Sequence, residues 1–182
     1  MRKEFTESAQ LAITKAKKCS KYFFSPYVGT EHLLMGLLQV DCAVSQIMLS
    51  HGITKEKVSS VIDSLVAPSA LLGATEKGEF SPRLQAVFRR SEAEAEYFGS
   101  ATIGTEHLFF GMLCQRDCLA MRLINTLGGG VKKICIDLLE TLGVDDTSDI
   151  REELTRLHTS DNSNTPALDQ YSRDMTRMAS EG

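Results

Sequence analysis

Long apolar runs are missing from this 182-residue chain. The longest, such as Leu33 to Leu38, fall far short of the roughly 20 residues that a membrane-spanning helix needs. The N-terminal Met1-Arg2-Lys3-Glu4 leads straight into an amphipathic pattern instead of the apolar stretch of a secretory signal, so the chain reads as cytoplasmic, with no membrane partner. A strong charge of one sign is lacking too. Net charge is −4, and residues 1–144 hold 16 Lys and Arg against 15 Asp and Glu, whereas residues 145–182 hold 4 against 9. A near-neutral body with an acidic tail argues against a nucleic-acid partner. Cysteine is sparse and unpatterned. Cys19, Cys42, Cys114, Cys118 and Cys135 are odd in number, form no CxxC and sit among helical apolar positions, as reduced core thiols would. A metal site from His107, Cys114 and Cys118 is the sharper alternative, but no second cluster completes a four-ligand set. A GxxxxGK[ST] loop to cradle phosphates is absent, since Gly128-Gly129-Gly130 runs into Val131-Lys132-Lys133.

What the chain does have is a signature written twice. Tyr27-Val28-Gly29-Thr30-Glu31-His32-Leu33-Leu34-Met35-Gly36-Leu37-Leu38 is matched 75 positions later by Thr102-Ile103-Gly104-Thr105-Glu106-His107-Leu108-Phe109-Phe110-Gly111-Met112-Leu113. Around each copy the same order of helices is expected. Phe5, Ala9, Ala12, Ile13, Ala16 and Cys19 form one apolar stripe on a first helix, repeated by Phe80, Leu84, Val87, Phe88, Ser91 and Ala95. Thr6 and Ser81 are placed to cap these helices, and Pro82 suits a first turn because its missing N–H would have no partner there. Tyr22-Phe23 and Tyr97-Phe98 close them. The signature then forms a second, buried helix, with Thr30 and Thr105 expected as its caps. Third helices follow around Ala43 to Met48 and Leu119 to Ile124, ended by Gly52 and Gly128 in the left-handed C′ position. Fourth helices span about 55–65 and 131–142.

The pattern therefore predicts an all-α chain of two tandem four-helix repeats, packed as a pseudo-twofold eight-helix domain. The first repeat covers 1–66, a linker 67–79, the second repeat 80–144, and an acidic, mostly flexible tail 145–182. Within the tail, Asp149 to Leu157 could form one charged helix.

Two copies of a four-helix unit carrying Gly-Thr-Glu-His-Leu, with a glycine a few residues on, resemble the N-terminal domain of the Clp ATP-driven unfoldases, in particular those of the ClpC type. The resemblance covers about residues 4–143, and the stretch from Thr165 to Gly182 looks like the approach to a first ATPase module. It implies a recognition domain and not an enzyme: no cofactor in this chain, with ATP and magnesium belonging to ATPase modules that the chain lacks. Implied partners are arginine-phosphorylated or unfolded proteins, a MecA-like adaptor, ATPase modules of the same chain and a ClpP-type protease. Phosphoarginine sites in that family map onto Thr6 with Glu31 and Ser81 with Glu106. Such a ligand joins an anionic phosphoryl group to a guanidinium, so it needs a carboxylate beside an anion-binding helix start. One departure concerns the family's Glu-Gly-Glu-Gly turn, which here reads Val40-Asp41-Cys42-Ala43 and Arg116-Asp117-Cys118-Leu119.

Glu31 and Glu106 can also be read more plainly, as acids that support a helix start by some tenths of a kcal/mol. His32 and His107 follow these acids, but neither pair belongs to HExxH, and an imidazole in a buried helix is expected to bond nearby backbone. Met35, Met48, Met112 and Met121 read as core filler. A self-contained helical scaffold, or a metal-dependent His/Cys regulator or enzyme, are the competing classes.

Overall fold

A computed structural model describes residues 3–65, 78–115 and 118–142. Positions 67–77 of the inter-repeat linker expected over 67–79, residues Arg116 and Asp117, and the acidic tail lie outside the described residues. The helix expected over Asp149 to Leu157 and the approach segment from Thr165 fall within that tail.

Among the described residues the first repeat contains α1 (Glu7–Tyr22), β1 (Tyr27–Val28), α2 (Thr30–Leu37), α3 (Ala43–Ser50) and α4 (Lys55–Leu65). The second contains β2 (Glu79–Phe80), α5 (Pro82–Tyr97), α6 (Thr105–Leu113), α7 (Leu119–Thr126) and α8 (Val131–Thr141). The fold is all-α apart from the two short strands, which helical periodicity does not reveal. Glu79, read from sequence as connector, is the first residue of β2.

Each repeat is built around a close helix pair. Ala9, Ala12 and Ala16 on α1 are fully or almost fully buried, and they let α2 approach until a Cβ added to Gly36 would lie 2.2 Å from the Ala12 carbonyl oxygen. In the second repeat a Cβ on Gly111 would lie 2.5 Å from Ser91 Oγ and 2.7 Å from the Val87 carbonyl. The signature glycines are therefore contact surfaces. Leu33, Leu34 and Leu37, with Leu108, Phe109 and Met112, are fully buried at the centre, each contributing about 1.5–3 kcal/mol of apolar burial. The four methionines named above are at most 5% exposed, in keeping with a core role.

The repeats are interlocked across the pseudo-twofold relation, α2 packing on α7 and α3 on both α6 and α8. His51 Nε2 reaches Asp137 Oδ2 at 2.6 Å across the same interface. Gly52 and Gly128 have φ of 74° and 79°, the left-handed C′ geometry expected for the ends of α3 and α7.

Candidate functional site

Thr6 and Ser81 cap α1 and α5 as their sequence positions predict. Thr6 Oγ1 accepts from the Ala9 N–H at 3.2 Å, and Ser81 Oγ from the Leu84 N–H at 3.2 Å. Thr30 and Thr105, by contrast, are not caps of the second helix. They are its first residues, and Gly29 and Gly104 hold the cap positions with extended backbones. Glycine has no side chain to accept a bond, so the histidine three residues on closes the helix start instead. The Gly29 N–H donates to His32 Nδ1 at 2.9 Å and the Gly104 N–H to His107 Nδ1 at 2.8 Å.

The missing side chains at these positions also leave room for the neighbouring carboxylates. A Cβ at Gly29 would sit 2.2 Å from Glu31 Oε1, and one at Gly104 would sit 2.1 Å from Glu106 Oε1. Each carboxylate folds back over its own helix start, into the space that the missing side chain leaves. The two acids are thus less projected into solvent than the sequence suggests: the Glu31 side chain is 17% exposed and that of Glu106 29%.

Burial pushes the Glu31 carboxyl above its usual range, while its own backbone N–H and the Thr30 hydroxyl, both bonded to it, pull the other way. Glu106 Oε2 accepts from the Thr105 hydroxyl at 3.3 Å. The neighbouring imidazoles do not neutralise these acids. His32 Nδ1 lies 3.2 Å from Glu31 Oε1 and His107 Nδ1 3.4 Å from Glu106 Oε1, but both nitrogens already accept a backbone N–H and so carry no proton. Burial brings His32 down to about 4. His107 is lowered by burial first and by Lys3, with Glu106 opposing. Among the described residues neither carboxylate pairs with a lysine or arginine.

The pairing of caps with acids differs from the one suggested by sequence. α1 and α2 form a hairpin in which Gly36 faces Ala12 and Ala16, and the His32 ring stands 6.1 Å from that of Phe23, just past the end of α1. Glu31 therefore lies at the far end of α1 from Thr6, and 16 helical residues span about 24 Å. What Thr6 meets is the other repeat. Its N–H donates to the Ile103 carbonyl at 3.0 Å, and the Ile103 N–H donates to the Glu4 carbonyl at 2.8 Å. In the same way β1 and β2 pair in parallel, Val28 opposite Phe80, and the Ser81 N–H donates to the Val28 carbonyl at 2.9 Å. Helices α1 and α6 thus start side by side, as do α5 and α2. Thr6 belongs with Glu106, and Ser81 with Glu31.

Thr30 has a role that sequence reasoning missed. Its Oγ1 accepts from the Ala120 N–H at 3.4 Å, serving the start of α7, where Cys118 makes no side-chain cap. Only the packing of α2 on α7 brings them together.

The residues of the metal alternative are otherwise engaged. His107 holds the Gly104 N–H, Cys118 is buried with Sγ 3.8 Å from the Met112 carbonyl, and Cys114 Sγ lies 4.0 Å from Glu94 Oε1. Among the described residues no cluster of three His, Cys, Asp or Glu could hold a metal ion. None of the five cysteines is in a disulfide, but only Cys118 and Cys135 are core residues; the other three are half-buried. No described helix is long and apolar enough to cross a membrane.

Comparison with known proteins gives the Clp repeat (R) N-terminal domain as the matching family model, over residues 4–127 and 79–181. The chain is similar to the negative regulator of genetic competence ClpC/MecB of Bacillus subtilis, at 30% identity over 97% of this chain and 21% of that protein. It is also 28% identical to chaperone protein ClpB of Oceanobacillus iheyensis, over 98% of this chain and 22% of that one. It thus spans about a fifth of the length of these relatives. Among solved structures, the N-terminal domain of the chaperone ClpD from Arabidopsis thaliana superposes with a TM-score of 0.62 at 26% identity, covering 76% of this chain and 97% of that one. The Hsp104 N-terminal domain from Candida albicans shares the fold, with a TM-score of 0.62 at 12% identity over 77% of this chain and 92% of that one.

Proposed function

The chain belongs to the Clp repeat N-terminal domain family, and on that premise we propose that it is a recognition domain that binds arginine-phosphorylated proteins at two sites, Thr6 with Glu106 and Ser81 with Glu31. Through such cargo, and through MecA-like adaptors, it serves a Clp ATPase ring that feeds a ClpP-type protease. Its work is binding, and the nucleotide chemistry belongs to the ATPase modules of such a ring.

The observation that carries this reading is the pairing of two helix starts at each site. One start is occupied by its own carboxylate, seated over Gly29 or Gly104. The other offers a hydroxyl and the positive end of a helix to an anion. A phosphoarginine side chain is split in the same way, its guanidinium N–H groups suiting the acid and its phosphoryl oxygens the cap. The carboxylate has no competing basic side chain among the described residues, so its charge is available.

Calorimetric titration with free phosphoarginine tests this, with arginine as control. Up to two binding events are expected, Glu31→Ala and Glu106→Ala each removing one. Because the sites span the repeats, Thr6→Ala should weaken the event that Glu106→Ala abolishes, and Ser81→Ala the one lost with Glu31→Ala. Two intact events in the double variant Glu31→Ala/Glu106→Ala would refute the assignment.

A further inference from the structure

A pocket of about 530 Å³ opens between the C-terminal half of α1, α2 and the start of α4. It lies at the end of α1 remote from Thr6. Phe23 and Met35, 5% and 2% exposed, form its apolar base, and Tyr22, 72% exposed, stands as an open wall. The base is held in place by Gln39, whose Nε2 donates to the Met35 carbonyl at 2.8 Å and to Cys19 Sγ at 3.2 Å. Lys18, Lys55 and Glu56 complete the lining. Its size falls within the range of sites that enclose a small organic group.

The second repeat does not keep these features. Seventy-five positions on, Phe110 replaces Met35, and its ring packs on Phe98 at a centroid distance of 5.6 Å. Glu94 replaces Cys19 and is bonded to Arg90 Nε at 2.6 Å. Charge has diverged alongside volume. Between Glu7 and Glu31 there is no acidic residue, and Lys15, Lys17, Lys18 and Lys21 all lie there. The equivalent turns of α5 carry Arg89 and Arg90 together with Glu92, Glu94 and Glu96. An apolar hollow beside a lysine-rich helix end, with Lys18 and Lys55 outnumbering Glu56 in its lining, thus occurs at the first repeat, and a ring-filled surface of mixed charge at the second.

We propose that this hollow docks an acidic peptide segment that inserts one apolar side chain onto Phe23 and Met35 while flanking carboxylates meet Lys18 and Lys55. The apolar base selects a side chain that leaves water, and the lysines select the sign of its neighbours. None of its lining residues belongs to either helix-start site, and it needs no phosphoryl group.

The test is an NMR titration of the 182-residue chain with the acetylated peptide Asp-Glu-Phe-Asp-Glu. Parallel titrations use its Phe-to-Ala version, the Lys-Arg-Phe-Lys-Arg version and N-acetylphenylalanine. Saturable shifts clustered on Cys19, Tyr22, Gln39 and Ser59 are expected with the first peptide, and at least about tenfold weaker binding with the other three. Met35→Phe, which copies the second repeat, should weaken the acidic peptide by about tenfold, as should Lys18→Glu combined with Lys55→Glu. Should Met35→Phe prove unfolded by circular dichroism, Tyr22→Ala at the exposed wall serves instead, with the same expected loss. Equal binding of the basic peptide, equal binding of N-acetylphenylalanine, unchanged affinity in the folded variants, or no saturable shifts at millimolar peptide would each overturn the proposal.

Discussion

Replacing Gly36 by alanine pits two well-characterised effects against each other. Helix propensity alone favours the change by about 1 kcal/mol, because alanine loses less backbone freedom than glycine in a helix interior. Packing opposes it. The new methyl would lie 2.2 Å from the Ala12 carbonyl oxygen and 3.1 Å from Ala16 N, where even close C···O contacts in proteins keep about 3.3 Å. Relief requires α1 and α2 to part by about 1 Å, and a gap of that size forfeits a quarter to a half of each contact's dispersion energy along the seam. Overpacking of this kind costs about 1–3 kcal/mol and more when the obstacle is backbone. With propensity subtracted from the upper end of that range, a net loss of about 2 kcal/mol is expected, lowering Tm by roughly 7 °C for a body of this size. Urea unfolding followed by far-ultraviolet circular dichroism measures it. Gly130→Ala is the matched control, since its added Cβ comes no nearer than 3.8 Å to Lys133 Cβ, and its effect should stay within about 1 kcal/mol. A Gly36→Ala protein as stable as the parent, or more so, would refute the close-approach argument.

His32 gives a pH signature. Its pKa falls from an ordinary 6.5 to about 4, so the unfolded chain takes up a proton that the folded chain refuses. The stability it contributes is complete above pH 6.5 and is lost as pH falls toward 4, about 2 kcal/mol of it by pH 5. His32→Gln, which keeps an acceptor for Gly29 but does not titrate, should show a smaller drop in unfolding free energy between pH 7 and 5. Thr30→Val removes the acceptor for the Ala120 N–H and should cost about 1 kcal/mol, whereas Thr30→Ser should cost less than half of that; equal losses in urea melts would remove the cross-repeat cap.

Much of this architecture was legible because the repeat makes every inference twice. Apolar stripes, the caps at Thr6 and Ser81 and the left-handed glycines all depend on neighbours within about four residues, and each came out as expected. The failures involve contacts distant in sequence. Thr30 reads as a local cap because a hydroxyl before a buried helix commonly is one, but the packing of α2 on α7 gives that hydroxyl to Ala120. Thr6 reads as the partner of Glu31 because both belong to one repeat, although a 16-residue helix holds them apart. Two-residue strands leave no periodic trace, so the pairing of Val28 with Phe80 was invisible, and with it which helix cap lies beside which acid. The inward lean of the carboxylates was hidden for a similar reason, since it depends on the absent side chains of Gly29 and Gly104.

The exchange of backbone bonds between Thr6 and Ile103, and between Ser81 and Val28, makes neither half self-sufficient. If the gene were split at its midpoint, each fragment would carry one hydroxyl and one acid at opposite ends of a hairpin, about 24 Å apart. Only reassembly of the two fragments would restore the crossed pairs.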